Sequence, residues 1–149
     1  MIYAHHVLHG TATFDTEPPD EAFWRGKIDA VINRRWPFLI AQAGDQLTGF
    51  AYATQFRDRA AYAHTCEDSI YVAPDRLGQG IGGTLLVSLV RAAKDAGFEQ
   101  MIGVIGGGEP ASVALHAKCG FVEAGRMRAV GFKFGKRLDT VYMQKDLGR

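Results

Sequence analysis

Apolar and polar residues repeat along the chain with two periods, and each period predicts one type of element. Helical spacing of apolar residues predicts four helices, over residues 1–9, 18–35, 82–96 and 110–118. Runs rich in β-branched and aromatic residues predict six strands, over residues 38–43, 47–55, 69–72, 101–105, 126–134 and 138–145. Glycine-containing turns at residues 44–45 and 135–136 join the first two and the last two strands into hairpins.

The order of these elements predicts an α/β fold with a mixed sheet. Antiparallel strands come first, and a hairpin closes the chain. Between them, strand, helix and strand over residues 69–105 form one central parallel crossover, which is right-handed in nearly all proteins. A length of 149 residues is ordinary for one domain, so we expect a single domain over residues 1–149.

The glycine-rich turn between the third strand and the third helix is Leu77-Gly78-Gln79-Gly80-Ile81-Gly82-Gly83. Glycine lets consecutive amides point into one concavity, and the following helix adds its free N–H groups, so the turn predicts a phosphate site. No lysine precedes Thr84, which excludes a Walker loop. Two other interpretations stay open: a tight connection that binds nothing, and the dinucleotide fingerprint Gly78-x-Gly80-x-x-Gly83 of an oxidoreductase.

Composition and charge exclude several classes of partner. A net charge of +1 gives no field that would attract nucleic acid or an acidic membrane, so we expect a small-molecule partner. The apolar runs are far shorter than the roughly 20 residues that cross a bilayer. Cys66 and Cys119 lack C-x-x-C spacing, and the five histidines are not spaced as metal ligands. We therefore expect a reduced, cytoplasmic protein without a bound metal.

The element order and the glycine turn together resemble the GNAT superfamily of acyl-CoA-dependent N-acetyltransferases. Within that superfamily the resemblance narrows to the phosphinothricin and methionine sulfoximine acetyltransferases. Segments along nearly the whole chain carry it: Thr13-Phe14-Asp15-Thr16-Glu17-Pro18, Ala61-Tyr62, Thr65-x-Glu67-x-x-x-Tyr71-Val72, Val104-Ile105-Gly106, Ser112-Val113-x-x-His116, Gly120-Phe121 and Arg128-Ala129-x-Gly131-x-Lys133.

The resemblance implies transfer of an acetyl group from acetyl-CoA to the α-amine of a small amino acid or analogue, by a homodimer. Three departures from the family pattern stand out. Family members usually have a strand before the point where this chain begins, so we expect either a truncated start or a sheet without that edge strand. Leu77 replaces a frequent Gln or Arg, a minor loss where amides bind the phosphate. Glu109 replaces a frequent Asn, and its charge makes a cofactor contact there doubtful.

Two residues are candidates for proton transfer. The resemblance implies that Glu67 is the general base that removes a proton from the amine, a role that requires burial to raise its pKa. An ion pair with an arginine is the alternative explanation of Glu67. His116 stands where many family members have a tyrosine, and an imidazole there could donate a proton to the departing CoA thiolate. A purely structural histidine is the alternative.

The third strand is the predicted binding edge for the pantetheine arm. Main-chain groups of Ile70, Tyr71 and Val72 can pair with its amides, provided that the sheet opens beside Val72. An N–H of Tyr71 or Val72 could also stabilise negative charge on the reacting carbonyl oxygen. Ser112, in the first turn of the fourth helix, is expected to cap that helix or touch the cofactor.

The substrates implied by the resemblance carry a carboxylate, which an arginine can bind with two parallel hydrogen bonds. Arg59 and Tyr62 precede Glu67 in the chain, and Phe14 offers an apolar wall, so these three residues are the predicted substrate contacts. The other cations weighed for this role are Arg57, Arg126, Arg128 and Lys133. A domain that binds acyl-CoA without catalysis, as a sensor, is the alternative to an enzyme.

Overall fold

A computed structural model describes residues 1–148 and contains four α-helices and six strands in that range. The helices are α1 (Ile2–His9), α2 (Glu21–Asn33), α3 (Ile81–Asp95) and α4 (Pro110–Lys118). The strands are β1 (Phe38–Ala43), β2 (Gln46–Gln55), β3 (Thr65–Val72), β4 (Gln100–Gly106), β5 (Val122–Lys133) and β6 (Lys136–Asp146). Short 3-10 turns lie at Ala60–Tyr62 and Pro74–Arg76.

The six strands form one sheet in the order β1-β2-β3-β4-β6-β5. The β3–β4 pair is parallel and the other neighbouring pairs are antiparallel, which confirms the predicted mixed sheet with one central crossover. Within residues 1–148 no strand precedes α1, and β1 forms one edge of the sheet. The glycine turn follows the third strand rather than the first strand of a parallel sheet, an arrangement contrary to the dinucleotide-binding fold.

Two strands begin four residues earlier than predicted. β3 starts at Thr65, four residues before the predicted start, so Glu67 lies inside the strand and not in the loop before it. The polar residues Thr65, Glu67 and Asp68 hide the strand pattern because Thr65 and Asp68 are buried despite their polarity. β5 likewise starts at Val122, and two register shifts in its pairing with β6 break the regular alternation.

Helices cover the two faces of the sheet in pairs. α3 and α4 pack on one face, where Leu86, Leu89 and Met101 are fully buried. α1 and α2 cover the other face, around Val31 and Phe50. Burial of one such large apolar side chain stabilises the fold by about 1.5–3 kcal/mol. Because side chains alternate along a strand, even-numbered residues of β3 face α3 and α4, and odd-numbered residues face α1 and α2.

The two parallel strands separate soon after they begin to pair. Pairing of β3 with β4 extends only from Thr65 with Gln100 to Glu67 with Ile102. Beyond these residues β3 remains bound to β2 and β4 remains bound to β6, so a gap opens within the sheet. The expected opening beside Val72 is therefore present.

Candidate active site

The gap between β3 and β4 opens into a cavity of about 750 Å³. Its walls are the second half of β3, the end of β4, one side of α1, the loop of residues 10–14, the glycine turn and α4. Elements from both faces of the sheet thus line one cavity. A ligand in this cavity can therefore contact groups that lie on opposite faces of the sheet.

The hydrogen bonds at the two ends of β3 show which way its main chain points. The N–H of Phe56 donates to the carbonyl oxygen of Thr65 at 3.0 Å, and the N–H of Ala73 donates to that of Thr48 at 2.8 Å. The register between β2 and β3 is unbroken from end to end. Odd-numbered residues of β3 therefore direct their main-chain groups at β2, and even-numbered residues direct theirs at the gap.

Ile70 and Val72 consequently offer main-chain groups to a ligand in the gap. The Val72 carbonyl oxygen accepts a hydrogen bond of 2.8 Å from Nε2 of His6 on α1, which agrees with this orientation. The predicted main-chain contact of Tyr71 is wrong, because its N–H and carbonyl face β2. Tyr71 is nevertheless part of the cavity wall, and its ring packs on that of Phe50 at a centroid distance of 5.4 Å.

The glycine turn adopts a backbone that other residues avoid. Gly78 and Gly80 have φ angles of +75° and +81°, in the left-handed region, and a Cβ at either residue would meet no atom within 4 Å. Glycine is thus required there for its backbone conformation rather than for space. The start of α3 holds no acidic residue in its first turn and lies on the cavity wall through Ile81, Gly82 and Gly83.

The main-chain N–H groups of the glycine turn and of the first turn of α3, together with the positive end of the α3 dipole, suit an anion such as a diphosphate. Gln79 does not line the cavity, although Gly78 and Gly80 on either side of it do. A Cβ at Gly82 would lie 3.3 Å from Leu115, so the absence of a side chain also allows α3 to approach α4 closely.

Glu67 reaches the cavity from the face that α1 and α2 cover. Burial raises the pKa of its carboxyl, the charge of Asp68 raises it further, and Arg57 and Lys27 lower it, with a net increase. Nη1 of Arg57 lies 3.7 Å from Oε2 of Glu67. Glu67 therefore has the partial burial that a general base requires. It also has an arginine neighbour, as the alternative interpretation of Glu67 as one half of an ion pair requires.

His116 is buried on the opposite face, in the last turn of α4, and both of its ring nitrogens have acceptors. Nδ1 lies 2.7 Å from the carbonyl oxygen of Ser112. Nε2 lies 3.2 and 3.1 Å from the two carboxylate oxygens of Asp68. Since a carbonyl only accepts, Nδ1 carries a proton, and a proton on Nε2 as well makes the ring an imidazolium paired with Asp68.

Asp68 acts on the pKa of His116 through both a hydrogen bond and its charge. Burial alone lowers the pKa of His116, but the hydrogen bond and charge of Asp68, together with the Ser112 carbonyl, raise it above its ordinary value. Sequence reasoning missed Asp68, because no spacing pattern connects residues 48 positions apart. A polar residue at a buried position of a strand was the only signal.

Glu109 caps α4 with its own side chain. Its two carboxylate oxygens accept hydrogen bonds from the N–H groups of Ala111 at 3.2 Å and Ser112 at 2.8 Å. The predicted capping role of Ser112 is therefore wrong, since Ser112 donates to the cap. The carboxylate of Glu109 is held against the N-terminus of its own helix, where the helix dipole stabilises it.

Phe14 lines the cavity from the loop of residues 10–14. Its ring lies against two glycines: a Cβ at Gly106 would be 2.9 Å from it, and a Cβ at Gly131 would also overlap it. Lys133 is buried beneath this loop, and its Nζ donates to the carbonyl oxygens of Gly10 at 2.8 Å and Thr13 at 2.9 Å. Lys133 thus holds the loop in place rather than facing solvent.

Arg59 and Tyr62 do not line the cavity that Phe14 and Glu67 share. Tyr62 is partly exposed and packs edge-on against Phe56 at a centroid distance of 5.8 Å. The main-chain carbonyl of Arg59 accepts a hydrogen bond of 3.0 Å from Nε2 of Gln55. The structure therefore brings Phe14, but not the other two predicted substrate residues, to the cavity.

Residues 1–148 contain neither a cluster of potential metal ligands nor a membrane-spanning helix. In this part of the chain no three His, Cys, Asp or Glu side chains are grouped so that they could hold a metal ion. None of the helices in the same range has the length and apolar character needed to span a bilayer.

Comparison with known proteins adds a family and named relatives. The model of the acetyltransferase (GNAT) family matches residues 2–121. The phosphinothricin N-acetyltransferase of Alcaligenes faecalis is 48% identical over 147 residues, which cover 98% of this chain and 75% of the relative. An L-methionine sulfoximine/L-methionine sulfone acetyltransferase of Pseudomonas aeruginosa is 35% identical over 147 residues, covering 98% of this chain and 86% of the relative.

Solved structures show the same fold at high similarity. A GNAT superfamily phosphinothricin acetyltransferase from Sinorhizobium meliloti, in complex with acetyl-CoA, superposes with a TM-score of 0.96 at 44% identity, over 99% of this chain and 80% of that one. A putative acetyltransferase from Salmonella typhimurium with its cofactor acetyl-CoA also gives 0.96, at 32% identity, over 99% of this chain and 86% of that one.

Proposed function

This chain belongs to the acetyltransferase (GNAT) family, and from that membership we propose that it acetylates the α-amine of a small amino acid or analogue, using acetyl-CoA. The expected substrates are of the methionine sulfoximine, methionine sulfone or phosphinothricin type, for which the relatives at 48% and 35% identity are named. The gap between β3 and β4 carries the proposal, because it joins an anion-binding turn to Glu67 within one cavity.

In this proposal the glycine turn binds the diphosphate of acetyl-CoA, and the open edge of β3 binds the pantetheine arm. The amides between Gly78 and Gly83 and the start of α3 provide the donors for the diphosphate. Ile70 and Val72 provide main-chain donors and acceptors, as an added strand would require. Ser112 is retained as a cofactor contact because it lines the cavity. When bound, acetyl-CoA supplies the acetyl thioester.

Glu67 is the proposed general base. A protonated amine has no lone pair for attack on a thioester, so a group in the cavity must remove a proton first. Burial and the charge of Asp68 raise the pKa of Glu67 and make it a better base near neutral pH than an ordinary carboxylate. The Val72 N–H, which faces the gap, is the proposed donor to the carbonyl oxygen on which negative charge develops.

His116 is the proposed proton donor to the thiolate of CoA. Its doubly protonated ring is an acid, and it lines the cavity from the face opposite Glu67. Both ring nitrogens have acceptors, the Ser112 carbonyl for Nδ1 and Asp68 for Nε2, and the proton on Nε2 is the proposed transferable one.

Phe14 is the proposed apolar contact for the substrate side chain, supported by its place on the cavity wall. The roles proposed for Arg59 and Tyr62, as partners of the substrate carboxylate and side chain, rest on the resemblance alone. The cytoplasmic location expected from the sequence remains a prediction.

We also propose a homodimer formed through the β5 edge of the sheet. β5 is the edge opposite β1, and three apolar residues at its end are more than half exposed: Val130, Phe132 and Phe134. A second copy of the chain would cover this apolar patch. Sedimentation equilibrium is expected to give a dimer for the native chain and a monomer for Phe132→Glu. A dimer that persists in the variant would exclude this patch as the interface.

The experiment that tests the activity is an assay of thiol release from acetyl-CoA with methionine sulfoximine, methionine sulfone and phosphinothricin. Turnover is expected with at least one of them, and Glu67→Gln is expected to lose turnover while it still binds acetyl-CoA. An absence of turnover with every α-amino acid analogue would contradict the proposed substrate class. A native chain that binds acetyl-CoA but acetylates no amine would instead favour a sensor.

A further inference from the structure

Asp68 occupies the point at which the sheet divides. It follows Glu67, the last residue of β3 that pairs with β4, and its side chain leaves the strand on the face covered by α3 and α4. Its side chain is 5% exposed, as is that of His116. A carboxylate buried to this degree needs a charged or hydrogen-bonded partner, and Nε2 of His116 lies within 3.2 Å of both its oxygens.

The ring of His116 is held from several sides. Ser112 accepts from Nδ1, and the ring of Phe121 packs edge-on at a centroid distance of 5.0 Å. A Cβ at Gly103 on β4 would lie 2.8 Å from Cδ2 and Nε2, so only glycine leaves room for the ring. The orientation of the imidazole is therefore set by packing, and the remaining variable is whether Nε2 carries a proton. Asp68 is the acidic group in contact with Nε2.

The negative charge of Asp68 also acts on Glu67, whose side chain lies on the opposite face of the sheet. The groups that act on Glu67 are Arg57 after β2, Lys27 on α2 and Asp68 beside it on β3. Asp68 disfavours ionisation of Glu67, whereas the two cations favour it. Cys66, two residues before Asp68 on the same face, stays a neutral thiol because burial and Asp68 raise its pKa to about 12. Tyr52, on the Glu67 side, is also kept neutral since burial raises its pKa.

We infer that Asp68 is a positioning residue that holds His116 in its doubly protonated form, keeps Glu67 basic, and thereby sets the pH range of the reaction. This inference rests on the proposed function, since it assigns Asp68 a role through the proposed acid and base. One carboxylate thus governs two proton-transfer groups that lie on opposite faces of the sheet. Removal of its charge acts on both groups in the same direction, because a nearby negative charge favours the protonated form of each.

The test is the pH dependence of kcat/KM in Asp68→Asn, which keeps the side-chain shape and removes the charge. Both limbs of the profile are expected to move to lower pH, the acidic limb through Glu67 and the alkaline limb through His116. At alkaline pH the rate is expected to fall by up to ~100-fold, the contribution of a positioned proton donor. A purely structural role would lower the rate at every pH and leave both limbs in place, and that result would overturn the inference.

Glu21→Gln is the matched control. It makes the same carboxylate-to-amide change on the exposed surface of α2, where Glu21 pairs with Arg25. Neither limb of its profile is expected to move. A shift in the control equal to that of Asp68→Asn would attribute the effect to net charge and would overturn the inference.

A second measurement does not depend on activity or on the folding of a variant. Nitrogen-15 NMR of the native chain is expected to show both ring nitrogens of His116 protonated at neutral pH. A neutral ring in an active enzyme would overturn the inference alone. A doubly protonated ring in a chain that acetylates no amine would overturn the proposed function, and with it the role of Asp68 in the reaction.

Discussion

Nζ of Lys133 lies 2.8 Å from the carbonyl oxygen of Gly10, a residue 123 positions earlier in the chain. The same ammonium donates to the carbonyl of Thr13 at 2.9 Å, so the end of β5 holds the loop that carries Phe14. One wall of the cavity is thus built from two distant parts of the chain, and its shape depends on a single buried cation.

Replacement of this cation is expected to loosen the wall. Lys133→Met leaves two main-chain carbonyls without their donor, at a cost of about 1–3 kcal/mol in the free energy of unfolding. The KM for the amine is expected to rise by about tenfold, equivalent to roughly 1.4 kcal/mol, while the Kd for acetyl-CoA is unchanged. Steady-state kinetics, calorimetry and urea denaturation measure these quantities.

Lys136→Met is the control for that variant, since Lys136 is exposed at the start of β6 in the same hairpin. It is expected to keep the native KM and stability. Equal amine KM values in Lys133→Met and the native chain would show that the loop keeps its place without the ammonium.

Substitution of Gly80, which has a left-handed backbone conformation, is expected to weaken the binding of acetyl-CoA selectively. In Gly80→Ala the added Cβ meets no atom within 4 Å, but an L-residue at φ of +81° is strained by roughly 1–2 kcal/mol. The turn is expected to relax and the Kd for acetyl-CoA to rise by about tenfold. Calorimetric titration measures the Kd.

Gly26→Ala separates backbone strain from the simple loss of a glycine. Gly26 lies inside α2, and its Cβ would also meet no atom within 4 Å. There alanine is expected to stabilise the chain by about 0.5–1 kcal/mol without effect on acetyl-CoA binding. An unchanged Kd in Gly80→Ala would mean that the turn does not hold the cofactor.

Removal of the Arg57 charge is expected to shift the pH dependence of kcat/KM in one direction. Its charge favours the ionised carboxylate of Glu67 and so lowers the pKa of Glu67. In Arg57→Met that pKa rises, the base form appears only at higher pH, and the acidic limb of kcat/KM moves up. Solvent screens the half-exposed pair, so the shift is expected to shrink as salt is added.

Arg25→Met provides the comparison, because Arg25 is an exposed cation of α2 that pairs with Glu21. The acidic limb of the kcat/KM profile of Arg25→Met is expected to match that of the native chain. If Arg57→Met also left the limb in place, a group other than Glu67 would be responsible for it.

The cap of α4 predicts a change in stability. Glu109→Ala removes the acceptors of the Ala111 and Ser112 N–H groups and is expected to lower the free energy of unfolding by about 0.5–2 kcal/mol. Glu109→Gln retains one acceptor oxygen and is expected to lose less. Thermal denaturation of the three chains measures the difference, and equal stabilities would show that water replaces the cap without cost.

The local pattern of the sequence determined most of the elements. The range predicted for α4, residues 110–118, agrees with the structure, as does that of β1, because period, proline and glycine act over a few residues. The same local chemistry identified the glycine turn, whereas the family was identified by the resemblance of short segments along the chain to those of known acetyltransferases. Local chemistry did not locate the start of β3, where the burial of Asp68 depends on a partner elsewhere in the chain.

Tertiary structure alone decided how these elements are combined into a site. The insertion of β6 between β4 and β5, the early separation of β3 from β4, the pair of Asp68 with His116 and the bond of Lys133 to Gly10 all join distant residues. Such contacts form because buried polar groups must find partners and because strands pair where their faces are covered. The periodicity of apolar residues along the chain does not specify which distant residues or strands pair with one another.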